Sequence, residues 1–85
     1  MYPTLHAIGL GPQLAELERI CAESRAGKHK GESILDVPAE VHVDKAGTHV
    51  DSWLTAVRDP DSGASHLIHA AARLLMAAAC DKGEL

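Results

Sequence analysis

The stretch Asp59-Pro60-Asp61-Ser62-Gly63-Ala64-Ser65-His66-Leu67-Ile68-His69-Ala70-Ala71-Ala72-Arg73-Leu74-Leu75-Met76-Ala77-Ala78-Ala79-Cys80-Asp81 decides the fold. Asp-Pro-Asp-Ser-Gly is a turn by composition. Ser62 or Ser65 is placed to cap the segment after it, a long run of strong helix formers. Leu67, Ala71, Leu74, Leu75 and Ala78 return at helical spacing, which predicts a helix over 64–81. Its alanines make it apolar nearly all round. A helix of that kind is normally buried on several sides, and in so short a chain this calls for a partner chain.

Working towards the N-terminus, Val43, Ala46, Val50, Trp53, Leu54 and Val57 form one apolar stripe. They predict a second helix over 37–58, with Asp36 as its N-cap and Pro38 in its first turn. Leu10, Leu14, Leu17, Ile20 and Cys21 give a further amphipathic segment over 12–26, opened by Gly11-Pro12 and stopped at Gly27. The short turn between the last two helices predicts an antiparallel hairpin. The expectation is an all-α fold of three helices in one domain spanning 1–85.

Composition sets bounds on this. The chain has 85 residues, 46% apolar and 24% charged, with Tyr2 and Trp53 as its aromatics. That is too apolar for a disordered chain, yet so small a domain buries only about 60% of its unfolded surface. Cys21 and Cys80 cannot build a disulfide scaffold and read as reduced, small hydrophobes. A metal or self-association is the remaining support, and of the two a homo-oligomer is expected. The net charge of −4 leaves no broad basic surface for duplex nucleic acid. No apolar run approaches the ~18 residues of a membrane span. The first ten residues lack the pattern of a secretion signal. A cytoplasmic protein is expected.

Six histidines in 85 residues is a large share. His42, Lys45 and His49 fall on one face of the second helix. His66, His69 and Arg73 repeat that spacing on the third. A hairpin brings the two sets towards one groove, and imidazole, ammonium and guanidinium donors suit an anion such as phosphate. Each histidine, taken singly, is better explained as a boundary residue between core and surface; the set, with Lys45 and Arg73 in register, favours the groove. Arg25, Lys28, His29 and Lys30 form a basic loop between Gly27 and Gly31. It is either a phosphate cradle using Lys28 and Lys30 or a solvated connection. His66-x-x-His69 is a spacing that can share a metal, without an accompanying Cys-x-x-Cys. For Mg2+, Glu40 and Asp44 on the second helix and Asp59 and Asp61 at the turn are the carboxylate candidates. The bland reading makes them a solvated face and turn formers. No Gly-x-Ser-x-Gly occurs, and neither cysteine has a base near it in sequence.

The block Asp59-Pro-Asp61-Ser62-Gly63-Ala-Ser-His66-Leu-Ile-His69-Ala70 resembles the signature Asp-x-x-Ser-Gly-x-x-His-x-x-His-Ala of phage dATP/dGTP diphosphohydrolase-type proteins, among the all-α MazG-like nucleotide pyrophosphohydrolases. Ala46, His49 and Trp53 match residues of the helix before that signature. Ala26-Gly27-Lys28-His29-Lys30-Gly31 is similar to its basic loop. The resemblance covers roughly residues 26 to 80. It implies a nucleotide-binding protein that, with Mg2+, cleaves a deoxynucleoside triphosphate to monophosphate and pyrophosphate in the cytoplasm of a phage's host. Two positions depart from it: Thr55-Ala56-Val57 replaces Gly-Glu-Asp, and Ser33-Ile34 stands where Asn-Trp comes after the loop. Fewer carboxylates leave a second reading open, a protein that sequesters a nucleotide or cyclic nucleotide without turnover.

Overall fold

The computed structural model describes residues 2–27, 31 and 33–81. Lys28, His29 and Lys30 of the basic loop lie outside the described residues. Among the described residues four α-helices occur in order: α1 (Pro3–Ala7), α2 (Gly11–Ala26), α3 (Ala39–Trp53) and α4 (His66–Cys80), with a 3-10 turn at Ile34–Asp36 before α3. Among the described residues there is no β-strand, and Arg58 and Ser65 form an isolated antiparallel bridge. The all-α expectation holds, with α1 as an addition. Five residues are too few to show an apolar period. Pro3 in the first turn starts this helix.

The third expected helix starts at His66 rather than Ala64, because the Ser65 side chain accepts from the Leu67 N–H at 3.1 Å and caps it there. The second, Ala39–Trp53, is shorter at both ends than the expected 37–58. Pro38 occupies its N-cap without a side-chain bond, and Asp36 lies in the 3-10 turn, itself capped by Ser33. At the far end α3 stops at Trp53 instead of running to Arg58. The Thr55 hydroxyl donates at 3.0 Å to the Ser52 carbonyl, which also accepts the Thr55 and Ala56 N–H groups. Beyond it, the Val57 carbonyl accepts from His66 N–H at 2.9 Å and Asp59 N–H donates to the Ala64 carbonyl at 2.7 Å. The backbone of 57–59 is thus paired with 64–66, and this pairing ends the helix although Val57 keeps the apolar period.

Helices α3 and α4 lie antiparallel. The Cys80 thiol meets the Ile34 carbonyl, Arg73 meets His42, and His66 meets His49, so position rises along one helix as it falls along the other. Ala46, Ala70 and Ala77 are buried, and small side chains such as these let helices approach closely. Helix α2 covers another side of α4 through Ile20, Ala64 and Ala72, with Leu17, Cys21, Ile68 and Met76 packed against them. It is also tied to the start of α4, where Glu16 Oε1 accepts the Ser65 N–H at 2.8 Å. The remaining side of α4 carries Leu67, Leu74 and Leu75, all exposed, and Val43, Val50 and Trp53 of α3 are exposed too. The chain's apolar content therefore exceeds what its own core covers.

Candidate functional site

The antiparallel register sorts the expected site residues into two tiers along the hairpin. His42, 1% exposed, is the first. Its Nε2 lies 3.1 Å from the Ile34 carbonyl and so carries the proton that it donates there. Nδ1 is then an acceptor, and the Arg73 guanidinium donates to it at 3.2 Å. This buried imidazole is fully bonded as a neutral ring. It fixes the 3-10 turn to α3 and α4, and it engages one arm of Arg73 in that structural role.

The second tier lies nearer the connecting loop. His49 from α3 and His66 from α4 share a hydrogen bond between their Nδ1 atoms at 3.1 Å, one donating and the other accepting. His69, one turn along α4, stacks on His49 with ring centroids 4.6 Å apart and planes 9° from parallel. Ser62 Oγ and His69 Nε2 are 2.7 Å apart, and the same oxygen accepts the Ala64 N–H. Asp59 completes the group. Its Oδ1 accepts the N–H groups of Asp61 at 2.8 Å and Ser62 at 3.2 Å. Its Oδ2 stands 4.0 Å from His66 Nδ1. Gly63, at φ +73°, makes the left-handed turn that lets this loop close.

Electrostatics in the tier arise from burial and crowding. Burial holds the His49 imidazole below its ordinary value, and the neighbouring His69 and His66 rings push the same way. Burial also lowers His69, against the opposing pull of the Asp59 carboxylate. Partial burial works against ionisation of Asp59, but the two N–H donors and the imidazoles outweigh it and hold the carboxyl below its usual range. Near neutral pH His49 and His69 therefore stand as neutral imidazoles beside the Asp59 carboxylate. The protonated rings that would favour an anion belong to more acidic conditions.

Of the other expected residues, Lys45 is exposed on α3, one turn from His49. The four carboxylates do not gather. Asp44 is exposed on α3, Asp61 is exposed in the turn, and Glu40 is exposed on the rim of a groove at the opposite end of the hairpin. That groove, about 450 Å3, is walled by Val43, Leu74, Ala77 and Ala78, with Glu40 and Asp81 also lining it. Among the described residues, the histidine, cysteine and acidic side chains that come within metal-bridging reach of each other are His49, Asp59 and His66. This donor set does not fit Mg2+, which prefers oxygen ligands. Lys28 and Lys30 fall outside the described residues.

Sequence reading missed Arg19 and Glu16, on the polar face of α2. Arg19 reaches the Ser62 carbonyl at 3.4 Å, and Glu16 lies 3.7 Å from Arg58 as well as bonding Ser65. Their helical spacing marks them as surface; the docking of α2 onto the loop, which no local pattern encodes, brings them beside the site. Comparison with protein-family models, curated proteins and solved structures gives no match to this chain.

Proposed function

We propose that this chain binds a nucleotide or a nucleotide-derived phosphate ester at the loop end of the α3–α4 hairpin. One observation carries the reading: His49, His66 and His69, the histidines that the resemblance marks, come from two helices into one contact group. Arg73 lies one turn beyond His69, and a guanidinium offers several donors, so its bond to His42 leaves capacity for phosphate. Lys45 adds charge at the rim. Neutral imidazole N–H groups orient the ligand rather than neutralise it.

The scattering of Glu40, Asp44 and Asp61 favours holding the ligand over Mg2+-dependent cleavage, because neutralising a triphosphate and activating water requires carboxylates gathered around the ion. Sequestration is therefore preferred to pyrophosphohydrolysis. In keeping with this ligand, the protein acts in the cytoplasm, that of the host if a phage encodes it, and as a homo-oligomer. The exposed Leu67, Leu74, Leu75 and Val43 support self-association. Among the described residues, no helix is long and apolar enough to cross a membrane.

The test is a thermal-shift screen in chelator over deoxynucleoside triphosphates and cyclic dinucleotides, then calorimetry and chromatography of the recovered ligand. A ligand that binds the native state must raise the melting temperature. The expected result is a shift with one class, weakened by Arg73→Lys, and ligand recovered intact. No shift with any of them overturns nucleotide binding. Pyrophosphate release on adding Mg2+ overturns sequestration in favour of the enzyme.

A further inference from the structure

We infer that His49, Asp59 and His66 form a binding site for a divalent transition metal of the zinc type, independent of any nucleotide. The two imidazole nitrogens stand 3.1 Å apart. An ion held at the usual ~2.0–2.1 Å from each of two imidazoles separates them by about 2.8–3.4 Å over the angles between square and tetrahedral. The pair is thus already spaced for a shared ion, which takes the place of the proton now shared between the two Nδ1 atoms. All three donor atoms lie within 4.8 Å of one another. Asp59 Oδ2, 4.0 Å from His66 Nδ1, must close on that nitrogen by about 0.7 Å to reach the spacing of two ligands on one tetrahedral ion.

The surroundings set up this arrangement from three elements. Asp59 is held by its other oxygen, since Oδ1 takes the Asp61 and Ser62 N–H groups and leaves Oδ2 towards the histidines. Ligating carboxylates are commonly oriented in this way by a second hydrogen bond. His49 is backed by the stacked ring of His69, and His69 is itself held by Ser62. His66 is buried at the first turn of α4, and its backbone N–H is fixed to the Val57 carbonyl. Two nitrogens and one carboxylate oxygen select zinc-like ions over Mg2+ and Ca2+. Three protein ligands leave a coordination position for water or for an oxygen of a bound molecule.

The experiment uses the full chain, stripped with chelator, and no nucleotide. Co2+ is added as a spectroscopic probe, then Zn2+ in competition, with Mg2+ as the control. The expected result is one Co2+ per chain with the intense visible bands of a four-coordinate ion, displaced by Zn2+ and untouched by Mg2+. His49→Gln lowers the affinity at least tenfold while circular dichroism stays that of the wild type. His6→Gln, on the exposed α1, leaves binding unchanged. Because His66→Gln alters a buried position, Asp59→Asn serves as the second ligand variant and also weakens binding at least tenfold. A spectrum of six-coordinate Co2+ with Zn2+ affinity unchanged in both His49→Gln and Asp59→Asn overturns the site. So does failure of the folded wild type to bind Co2+ or Zn2+. Nucleotide binding in chelator is a separate measurement, so either conclusion can fail alone.

Discussion

Replacing Asp59 separates what its carboxylate does for the fold from what it does for the site. Oδ1 receives two backbone N–H groups, those of Asp61 and Ser62. The backbone of residue 59 also pairs with Ala64 and Gly63, and those bonds survive any side chain. Asp59→Ala therefore removes, together with the 4.0 Å approach of Oδ2 to His66, two charge-assisted bonds from the loop. Each is worth about 1.5–3 kcal/mol when desolvated. Asp61 is exposed and its N–H turns to water, so most of the loss falls on the partly buried Ser62. The expected destabilisation is about 2 kcal/mol, which for a domain of this size lowers the melting temperature by roughly 8–16 °C. Asp59→Asn keeps a carbonyl oxygen in the Oδ1 position and loses only the charge. Its cost is about 1 kcal/mol or less, a fall of no more than roughly 8 °C. Thermal melts monitored by far-ultraviolet circular dichroism, in chelator, measure both. An alanine variant that melts with the wild type refutes the bonding scheme, as does an asparagine variant that falls as far as alanine.

Other parts of the structure give three further expected outcomes. In chelator, the melting temperature drops as pH is lowered from about 7.5 to 5.5, because His49 and His69 have folded values below the 6.5 of the free side chain, so the unfolded chain takes up protons first. The stability they contribute is present above that value and is lost as pH falls through their folded ones; a double His49→Gln, His69→Gln variant flattens the profile across this window, and an unchanged slope contradicts the assignment. Gly63→Ala places a side chain at φ +73° where a Cβ meets nothing within 4 Å, so backbone strain alone costs about 1–2 kcal/mol in chemical denaturation, and Gly63→Asn costs less. Ala64 is completely buried between α2 and α4, so Ala64→Leu overfills the contact and destabilises by about 1–3 kcal/mol, whereas a stabilised variant would mean that α2 packs elsewhere.

Helix α4 was legible because its sequence is locally consistent: a capping serine, an apolar period and alanines all favour one structure. The convergence of His49 with His66 and His69 was legible from the two helical periods and the hairpin they imply, although the connection spans 54–65 rather than the 59–63 turn expected. The end of α3 was not, because Val57 keeps the helical period while its carbonyl is bonded across the loop to His66. Helical spacing also joined His42 and Arg73 to the other histidines as one stripe. Their pairing, and the contact of His42 with the 3-10 turn, depend on where residues 34–36 fold back. The carboxylates show the same divide. Spacing along α3 selected Glu40 and Asp44, while Asp59 reaches the imidazoles through the turn geometry set by Ser62 and Gly63. The role of α2 in holding that loop through Glu16 and Arg19 is tertiary and leaves no periodic trace.

Anomalous diffraction at the zinc edge, from crystals of the full chain soaked in Zn2+, tests most directly whether the histidine group at the loop end of the hairpin is a built site. The expected result is one strong peak per chain within bonding distance of His49 Nδ1, His66 Nδ1 and an Asp59 carboxylate oxygen, with His69 still stacked on His49. Density showing His49 and His66 apart, with zinc on surface histidines such as His6 alone, contradicts it.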